Sequence, residues 1–382
     1  MKSKDTGIKS LALHKKLGGK VGTLSKVKLK TKEDWALYYT PGVGAVSTHL
    51  SKHPEDARKY TIKKNTVAVI SDGSAVLGLG DIGPEAALPV LEGKALIFKE
   101  CAGIDAYPIA LATKDVGEII RIVKAIAPGF GGINLEDISA PRCFQIERRL
   151  IEELDIPVMH DDQHGTAIVV LAGLINACKV TKRDLNKSWI ALNGVGAAGV
   201  GVIRLLKLFA PKAKILAVDT QGIIWNGRKD LNDSKRALID EGIVFAEGEG
   251  DLSKALIEAD IFIGLSKGGI LSAELIKKMN PKPIIFALAN PTPEVMPDIA
   301  RKAGAGVVAT GRSDFPNQVN NALVFPGVFR GALDHGVKRI TDEMKLKAAK
   351  ALAGMIKNPK AENIIPSVLD KKVVTVVASA IR

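Results

Sequence analysis

A glycine-rich loop in the second half of the chain limits the possible fold more than any other feature. The segment 194–199, Gly-Val-Gly-Ala-Ala-Gly, directly follows the strand-like run SWIALN and opens the helix-like run VGVIRLLKLF. A strand, a G-x-G-x-x-G turn and a helix in direct succession predict the first crossover of a doubly wound parallel sheet. Backbone N–H groups in such a turn can approach a pyrophosphate at the helix N-terminus. The loop therefore predicts a dinucleotide site, with a purely structural turn as the alternative. The predicted cofactor-binding residues are Gly194, Val195, Gly196, Ala197, Ala198 and Gly199.

Asp219 ends the next strand-like run, KILAVD, 20 residues after Gly199. A carboxylate at this strand end can hydrogen-bond the ribose hydroxyls of NAD, and it repels the 2′-phosphate of NADP. Thr220 and Gln221 offer no arginine to such a phosphate. The sequence therefore favours NAD over NADP, although Arg228 or Lys229 could fold back towards the phosphate.

Short aliphatic runs alternate with helix-like runs from residue 66 to about residue 310, which is typical of an α/β fold. In the first half we predict strands at 67–70, 96–98, 107–111, 131–134 and 157–159. We predict helices there at 116–127, 143–154 and 166–178. We expect an N-terminal α/β domain over residues 1–162 and a Rossmann-type doubly wound parallel sheet domain over residues 163–382. The second domain ends in C-terminal helices, and the boundary is expected in a loop before the helix at 166.

Several classes of protein are disfavoured by simple counts. The three cysteines, Cys101, Cys143 and Cys178, do not form a disulfide framework and fit a reducing compartment, so we expect a cytoplasmic protein. The longest uncharged stretches, 163–178 and 188–203, have 16 residues each. A membrane span needs about 18 apolar residues, and the N-terminus lacks the apolar run of a signal peptide. We expect neither a span nor a signal peptide.

The net charge of +13 is concentrated at the N-terminus, because residues 1–64 hold 15 Lys/Arg against 5 Asp/Glu. A basic balance is typical of proteins that bind nucleic acid. This segment has few aromatic residues for base stacking and no nucleic-acid motif. We therefore expect no nucleic-acid partner and interpret the segment as a solvated or inter-subunit face that could attract a dianionic substrate.

Two acidic pairs follow predicted strands. Glu136 and Asp137 follow GGIN, and Asp161 and Asp162 follow IPVM. The carboxyl ends of parallel strands meet at one edge of a sheet, where several carboxylates repel unless a cation or a lysine neutralises them. All-oxygen ligands select Mg²⁺ or Mn²⁺, whereas two solvated loop tips are the alternative interpretation. Zinc at His160 and His164 is disfavoured because no sulfur or third imidazole accompanies them, and we expect these histidines to be hydrogen-bonding loop residues.

Three further features remain ambiguous from the residues alone. Lys94, on an apolar stretch leading into a predicted strand, is either a desolvated proton acceptor or a surface lysine. Tyr39 precedes a Thr-Pro-Gly turn, at the end of a helix predicted to be capped by Thr31, and a core aromatic is the preferred interpretation. A second G-x-G-x-x-G match at 78–83 contains Asp81, which would oppose a phosphate. We predict that this loop is a tight structural turn or a wall of a substrate pocket.

Taken together, the motifs along the chain resemble malic enzyme in its short microbial form, over about residues 15–380. The matching segments are YYTPGV at 38–43, SDG at 71–73, LGLGDIG at 77–83, EGKA at 92–95, LEDI at 135–138, HDDQHGTA at 160–167, ANPT at 289–292 and NNALVFPGV at 320–328. The resemblance implies a homodimer that converts (S)-malate to pyruvate and CO₂. It also implies reduction of NAD or NADP and a requirement for Mg²⁺ or Mn²⁺.

The resemblance also implies roles for individual residues. Tyr39 matches the proton donor, Lys94 the proton acceptor and Asp161 the carboxylate that pairs with the lysine. The metal ligands correspond to Glu136, Asp137 and Asp162. The positions that reach substrate and nicotinamide correspond to Asn290 and Asn320, with Asn321 a less certain neighbour.

One position departs from the family pattern. Larger forms carry an arginine for a malate carboxylate where this chain has Ala75, so the second carboxylate of malate has no assigned partner. Malolactic chemistry or reduction of oxaloacetate at the same site remain alternatives, and net production of NAD(P)H from malate distinguishes them from oxidative decarboxylation.

Overall fold

A computed structural model describes residues 2–76 and 78–382 of the chain. Leu77, which belongs to one of the family-like motifs, lies outside the described residues. The molecule is an α/β protein with two sheets, which confirms the predicted fold class. In the described part of the chain, four α-helices precede the first strand: α1 (Lys2–Leu17), α2 (Lys32–Tyr38), α3 (Gly42–Lys52) and α4 (Ala57–Tyr60).

The first sheet has four parallel strands in the order β2-β1-β3-β4. These strands are β1 (Thr66–Ser71), β2 (Asp105–Ala110), β3 (Gly132–Leu135) and β4 (Val158–His160). Their connecting helices are α5 (Pro84–Ala102), α6 (Val116–Ile126) and α7 (Arg142–Glu153). Strands β1 and β3 are buried along their whole length, which explains their aliphatic sequences.

The strand predicted at 96–98 is wrong, because these residues lie inside α5. The buried residues Leu91, Ala95 and Phe98 recur at helical spacing and form the inner face of this helix. A short apolar run cannot by itself distinguish a strand from a buried helix. Lys94 consequently lies on a helix, on the same inner face as Leu91.

The helix that joins the two sheets, α8 (Asp161–Thr181), begins five residues earlier than predicted. Residue 163 therefore lies in the first turn of a helix and not in the predicted loop. The first residues of α8 are polar, so they show no apolar periodicity from which a helix could be predicted. By length and composition α8 could cross a membrane, but 67% of its apolar window is buried inside this fold, where it packs against helices of the second half.

The second sheet has six strands in the order β10-β9-β8-β5-β6-β7. All neighbours are parallel except β6 and β7, which form an antiparallel edge. The strands are β5 (Trp189–Asn193), β6 (Lys214–Asp219), β7 (Gly222–Ile223), β8 (Ile261–Gly264), β9 (Ile284–Ala287) and β10 (Val307–Thr310). The helices are α9 (Ala197–Phe209), α10 (Asp233–Asp240), α11 (Leu252–Ala255), α12 (Ala273–Ile276) and α13 (Pro297–Lys302). The strand order reverses between β5 and β8, and α/β folds of this type bind ligands at that crevice.

The predicted C-terminal helices are present as α14 (Phe325–His335), α15 (Asp342–Gly354) and α16 (Lys372–Ser379). Helix α14 returns to the first sheet, where Phe325 and Phe329 pack edge-on against Phe98 with ring centroids 4.8 and 5.5 Å apart. The division into domains 1–162 and 163–382 stays a proposal. This division assigns one sheet to each domain. Helix α14 of the second domain then contacts α5 of the first.

Candidate active site

Three carboxylates from neighbouring strand ends lie together. Glu136 and Asp137 directly follow β3, and Asp162 is the second residue of α8, just after β4. One oxygen from each of the three side chains lies within 4.8 Å of the others. Glu136 and Asp137 are each only 1% exposed, so the interpretation of these pairs as solvated loop tips is wrong. The adjacent, parallel pairing of β3 and β4 produces this cluster.

The chemistry of this donor set fits a hard divalent cation. The backbone N–H of Asp137 donates to Asp162 Oδ2 over 2.8 Å, which fixes the two residues relative to each other. Both carboxylate oxygens of Asp137 are buried without a hydrogen-bond partner. Burial, followed by the charge of Asp162, raises the pKa of Asp137 to about 8. A cation with oxygen ligands would satisfy these atoms and relieve their repulsion.

Lys94 reaches the same cluster from α5. Its Nζ lies 3.0 Å from Glu136 Oε1, contacts Asp161 and lies 3.3 Å from Asn321 Oδ1. Burial by itself lowers the pKa of Lys94, but the charges of Asp161, Glu136 and Asp162 outweigh burial and hold that pKa above its ordinary value. The interpretation of Lys94 as a surface lysine is therefore wrong.

Gly165 makes room for the carboxylate that pairs with Lys94. A Cβ atom at this position would lie 1.8 Å from Asp161 Oδ1 and 3.2 Å from Asn321 Cβ. No side chain can occupy that space while Asp161 keeps its position. The need for glycine at the end of the motif HDDQHG cannot be recognised from the sequence, because it follows from the position of the Asp161 side chain.

Glu147 is a further residue of this region that the sequence analysis missed. Its buried carboxylate on α7 accepts from the backbone N–H of His160 (2.7 Å), from Gln163 Nε2 (3.0 Å) and from His164 Nε2 (3.0 Å). Burial would raise the pKa of Glu147, but the interaction with His164 outweighs it, and the pKa falls to about 2. The apolar residues of α7 recur at helical spacing, and Glu147 lies among them on the buried face. The sequence could therefore have shown that Glu147 is a buried carboxylate.

The predicted nucleotide loop joins β5 to α9 as expected. Gly196, Ala197, Ala198 and Gly199 line a cavity of about 400 Å³, while Val195 is buried in the core. A Cβ at Gly199 would lie 2.0 Å from the carbonyl oxygen of Gly194, and a Cβ at Gly194 would lie 2.7 Å from that of Leu265. A Cβ at Gly196 would meet nothing within 4 Å. The backbone is thus tightly packed behind the loop and open in front of it, which fits the approach of a pyrophosphate.

The same cavity connects the nucleotide loop with the carboxylate cluster. Its wall includes Asp162 together with Asn290, Asn320 and Asn321. Because Asn321 also contacts Lys94, the cavity reaches the buried lysine through one side chain. The structure therefore brings together the predicted metal ligands, the predicted base and the asparagines of both matching motifs.

The first glycine loop forms part of the cavity wall. Gly78 and Ala75 line the cavity, and a Cβ at Gly78 would lie 2.4 Å from the carbonyl oxygen of Asn290. Asp81 instead pairs with the exposed Lys114 at 2.5 Å. Both interpretations of this loop hold, because it is a tight turn and also a wall of the cavity.

Arg142, which the sequence analysis also missed, fixes two loops beside this cavity. Its guanidinium donates to Ser74 Oγ at 2.9 Å and to Ser139 Oγ at 3.0 Å, and it pairs with Asp72 at 2.9 Å. Ser139 and the neighbour of Ser74, Ala75, both line the cavity. Arg142 thus links the loop that contains Asp72 and Ser74 with the loop that contains Ser139.

Asp219 lies at the end of β6, and Arg228 does fold back onto it. The guanidinium nitrogens of Arg228 lie 2.7 and 3.1 Å from the two carboxylate oxygens, and Lys235 Nζ lies 2.6 Å from Oδ2. Burial raises the pKa of Asp219, but these hydrogen bonds outweigh it and hold the pKa below its ordinary value. The charge of Asp219 is therefore balanced by two cations, a feature that Thr220 and Gln221 did not reveal.

The structure does not place Tyr39 at the cavity or at the carboxylate cluster. It follows α2 and its side chain is 63% exposed, so the interpretation as a core aromatic is wrong. Tyr39 is not among the residues that line the cavity. Within the described part of one chain, the predicted proton donor and the predicted proton acceptor are not brought together.

Comparisons with known proteins identify relatives of the whole chain. Residues 18–151 match the family model described as "Malic enzyme, N-terminal domain", and residues 163–381 match "Malic enzyme, NAD binding domain". An NAD-dependent malic enzyme of Geobacillus stearothermophilus is 52% identical over 96% of this chain and 76% of the relative. A bifunctional malic/malolactic enzyme of Bacillus subtilis is 49% identical over 97% of this chain and 91% of the relative. The crystal structure of an NAD-dependent malic enzyme from Thermotoga maritima matches with a TM-score of 0.93 and 49% identity, over 97% of this chain and 98% of that one.

Replacing Glu147 by glutamine should reveal its contribution to stability. The folded-state pKa of about 2 lies below the ordinary value of 4.5, so the stabilisation is complete above pH 4.5 and is lost as the pH falls towards 2. The wild type should exceed Glu147→Gln by about 3 kcal/mol in free energy of unfolding near neutral pH, with the difference shrinking below pH 4.5. Urea unfolding over a pH series measures this. Glu152→Gln, exposed on the same helix, is the control, and a pH-independent difference for Glu147→Gln would contradict the assignment.

Proposed function

Because this chain belongs to the malic enzyme family and catalyses the oxidative decarboxylation of malate to pyruvate and CO₂ with reduction of NAD(P)⁺, we propose how its own residues divide the work. One observation carries the proposal. Lys94 is buried between Asp161 and Glu136, and Glu136 also belongs to the carboxylate cluster beside the nucleotide cavity. We further propose that the protein acts in the cytoplasm as a homodimer.

We assign Glu136, Asp137 and Asp162 as ligands of Mg²⁺ or Mn²⁺. The support is the cluster of buried oxygens and the two unpartnered oxygens of Asp137. A divalent cation bound there supplies Lewis acidity towards the hydroxyl and carboxylate oxygens of malate. Since Glu136 contacts Lys94 as well, the protonation of the lysine is coupled to the state of this site.

We assign Lys94 as the base of the oxidation step. The carboxylates hold the pKa of Lys94 above its ordinary value, so the ammonium must first lose a proton, and a divalent cation held by Glu136, Asp137 and Asp162 would favour this by offsetting their charge. The neutral Nζ then accepts the proton of the malate C2 hydroxyl while the hydride on C2 passes to the nicotinamide. Asp161 orients the ammonium group and stabilises the charge that Lys94 gains. Asn290 and Asn320 are proposed to orient substrate and nicotinamide, because both line the cavity next to the nucleotide loop.

The second step is loss of CO₂ and return of a proton. The bond between C3 and the departing carboxylate breaks, and its electron pair forms the enolate of pyruvate. We assign Tyr39 as the group that gives its phenolic proton to C3. This assignment is supported by the position of Tyr39 in the matching motif YYTPGV.

We propose that NAD is preferred over NADP. Asp219 lies at the strand end where a carboxylate can hydrogen-bond the ribose hydroxyls. Its pairing with Arg228 and Lys235 occupies the two nearby cations that could otherwise bind a 2′-phosphate. The preference thus depends on Asp219 keeping both cations engaged.

Lys94→Ala tests the proposed base. Purified wild-type protein with Mn²⁺, malate and NAD should form pyruvate and NADH in equal amounts. The variant should lose roughly 10²–10⁴-fold in kcat, the range typical of general acid–base groups. Lys99→Ala, an exposed lysine on the same helix, is the matched control. Turnover of Lys94→Ala at the wild-type rate would rule out the assignment, and NADH binding by fluorescence checks that the variant is folded.

Metal binding is tested without turnover by thermal unfolding with EDTA or with excess Mn²⁺. At a hundredfold excess over Kd, Mn²⁺ should stabilise the wild type by about 2.7 kcal/mol. Asp137→Asn should lose this gain yet remain folded with EDTA, because it removes one of several mutually repelling carboxylates. Asp81→Asn, an exposed neighbour, should respond to Mn²⁺ as the wild type does. An equal Mn²⁺ response in Asp137→Asn would refute the proposed ligand set.

Cofactor preference is tested by the ratio of kcat/KM for NAD to kcat/KM for NADP. The wild type should favour NAD, and Asp219→Ala should lower the ratio roughly tenfold or more. Freed Arg228 and Lys235 can each form a charge-assisted hydrogen bond to the 2′-phosphate, worth about 1.5–3 kcal/mol. Asp230→Ala, which removes an exposed partner of Arg228, should change the ratio little. An unchanged ratio in Asp219→Ala would show that another residue determines the preference.

A further inference from the structure

Glu294 is a buried carboxylate that the proposed reaction does not use. It lies two residues after the segment ANPT, and its side chain is 0% exposed. Burial raises the pKa of Glu294, and among the described residues no lysine, arginine or histidine pairs with it. A buried carboxylate without a cation lowers the stability of a fold unless hydrogen bonds compensate for its lost hydration. The hydrogen bonds of Glu294 therefore indicate what this residue does.

Both carboxylate oxygens of Glu294 accept hydrogen bonds from backbone groups, one from each of two loops. Oε2 accepts from the N–H of Ala289 over 3.0 Å, and Oε1 accepts from the N–H of Ser266 over 3.2 Å. Ala289 lies in the loop after β9, and Ser266 lies in the loop after β8. Because β8 and β9 are adjacent and parallel, both loops leave the same edge of the sheet. A single carboxylate thus connects the two loops.

Both of these loops line the cavity that also contains the nucleotide loop. The residues that they contribute to its wall are Leu265, Ser266, Leu288, Ala289 and Asn290. The loop after β8 lies at the crevice where the strand order reverses, which is where folds of this type bind their ligands. The loop after β9 carries Asn290, which we assign to substrate and nicotinamide. Glu294 therefore connects two walls of the proposed cofactor site.

Ser266 extends this connection to the nucleotide loop itself. Its Oγ accepts from Asn193 Nδ2 over 2.5 Å, and Asn193 is the last residue of β5, directly before Gly194. A Cβ at Gly194 would in turn lie 3.0 Å from Ser266 Cβ. The loop after β8 is thus fixed on one side by the start of the nucleotide loop and on the other side by Glu294.

Two glycines leave room for this arrangement. A Cβ at Gly264, the last residue of β8, would lie 2.3 Å from Glu294 Cδ. A Cβ at Gly78 would lie 2.4 Å from the carbonyl oxygen of Asn290. The backbone at Asn290 is therefore held between the first glycine loop and the hydrogen bond from Ala289 to Glu294.

Only a carboxylate of this length can make both contacts. The two oxygens of glutamate are both acceptors, and here each faces a backbone donor. Glutamine has nearly the same shape, but its NH₂ group is a donor and would face one of the two N–H groups. Aspartate keeps two acceptors and is one methylene shorter. The chemistry of the two donors, and not the volume of the site, therefore selects glutamate.

We propose that Glu294 is a positioning residue for hydride transfer, which sets the position of Asn290 relative to the loop after β8. This inference rests on the proposed role of Asn290 and on the proposed cofactor site in this cavity. Glu294 does not line the cavity, so it acts through the backbone at Ala289 and Ser266. Displacement of reacting groups by about 1 Å can lower a rate by about 10²-fold. Loss of one of these hydrogen bonds should therefore slow hydride transfer.

Glu294→Gln tests the kinetic consequence with Mn²⁺ and NAD. The kcat should fall by about 10- to 10²-fold. The deuterium isotope effect on kcat, measured with malate deuterated at C2, should rise, because hydride transfer then limits a larger share of turnover. Asp260→Asn is the matched control, since Asp260 is a buried carboxylate before β8 that accepts from the backbone N–H of Trp189 over 2.9 Å at the opposite edge of the sheet. This control should lower stability to urea and leave the isotope effect unchanged.

Hydrogen exchange without malate or cofactor gives a readout that does not depend on activity. In Glu294→Gln, the backbone amide of Ser266 or Ala289 that faces the new NH₂ group should exchange at least about tenfold faster than in the wild type, because it loses a hydrogen bond to a charged acceptor. Asp260→Asn should leave both amides protected as in the wild type. Unchanged exchange at both amides of Glu294→Gln would contradict the proposed connection.

Glu294→Asp is a second variant, which decides the question if Glu294→Gln does not fold. It keeps the charge but cannot reach both donors, so its kcat should also fall and its isotope effect should also rise. Wild-type kcat per folded molecule with an unchanged isotope effect, in either variant, would overturn the positioning role and leave Glu294 with a purely structural one.

Asn290→Ala separates this inference from the proposed function on which it rests. Turnover of Asn290→Ala at the wild-type rate would refute the role assigned to Asn290 itself. A slow Asn290→Ala beside a Glu294→Gln that behaves as the wild type would refute only the role of Glu294. If both variants are slow and Glu294→Gln also shows the raised isotope effect and the faster amide exchange, the positioning role is supported.

Discussion

Lys94 is buried beside Glu136 and Asp161, and the neighbouring elements hold these charges in place. Glu136, Asp137, Asp161 and Asp162 cluster at the carboxyl edge of one small sheet, with Lys94 the cation that contacts Glu136 and Asp161. Buried charges are costly unless they are paired and hydrogen-bonded, and here the carboxylates outnumber the lysine. Such a cluster is stable only when the surrounding chain holds every group in place and a further cation can bind.

Several elements meet this requirement from different directions. Glu147 holds the first turn of α8 through three hydrogen bonds, and Gly165 leaves space for Asp161 in that same turn. From the other side, the ring of Phe325 on α14 lies 4.5 Å from Lys94 Nζ. The C-terminal helices therefore close over the lysine, although the residues that ligate the proposed cation lie 160–190 positions earlier in the chain.

Two packed helices fix the position of the carboxylate cluster relative to the nucleotide loop. Helix α8 begins at the carboxylate cluster, and α9 begins at the glycine loop. A Cβ at Gly201 of α9 would lie 2.4 Å from the carbonyl oxygen of Gln163 in α8, so the helices touch backbone to backbone next to both sites. Asn176 at the far end of α8 donates to the carbonyl oxygens of Ala353 and Ile364, which anchors the helix to the C-terminal part of the chain. The glycine loop thereby keeps a fixed position relative to the carboxylate cluster.

The sequence predicted features that depend on local order along the chain and missed those that depend on packing. The glycine loop between β5 and α9 was predictable from the succession of strand, turn and helix, and the clustering of Glu136 with Asp162 from the ends of parallel strands that meet at one edge. Local periodicity misassigned residues 96–98, because three consecutive apolar residues fit a strand and a buried helix equally well. The pairing of Lys235 with Asp219 and the role of Glu147 require contacts between separate elements. The exposure of Tyr39 was missed for a similar reason, since nothing in its motif shows that no described side chain from residue 6 to residue 65 is buried.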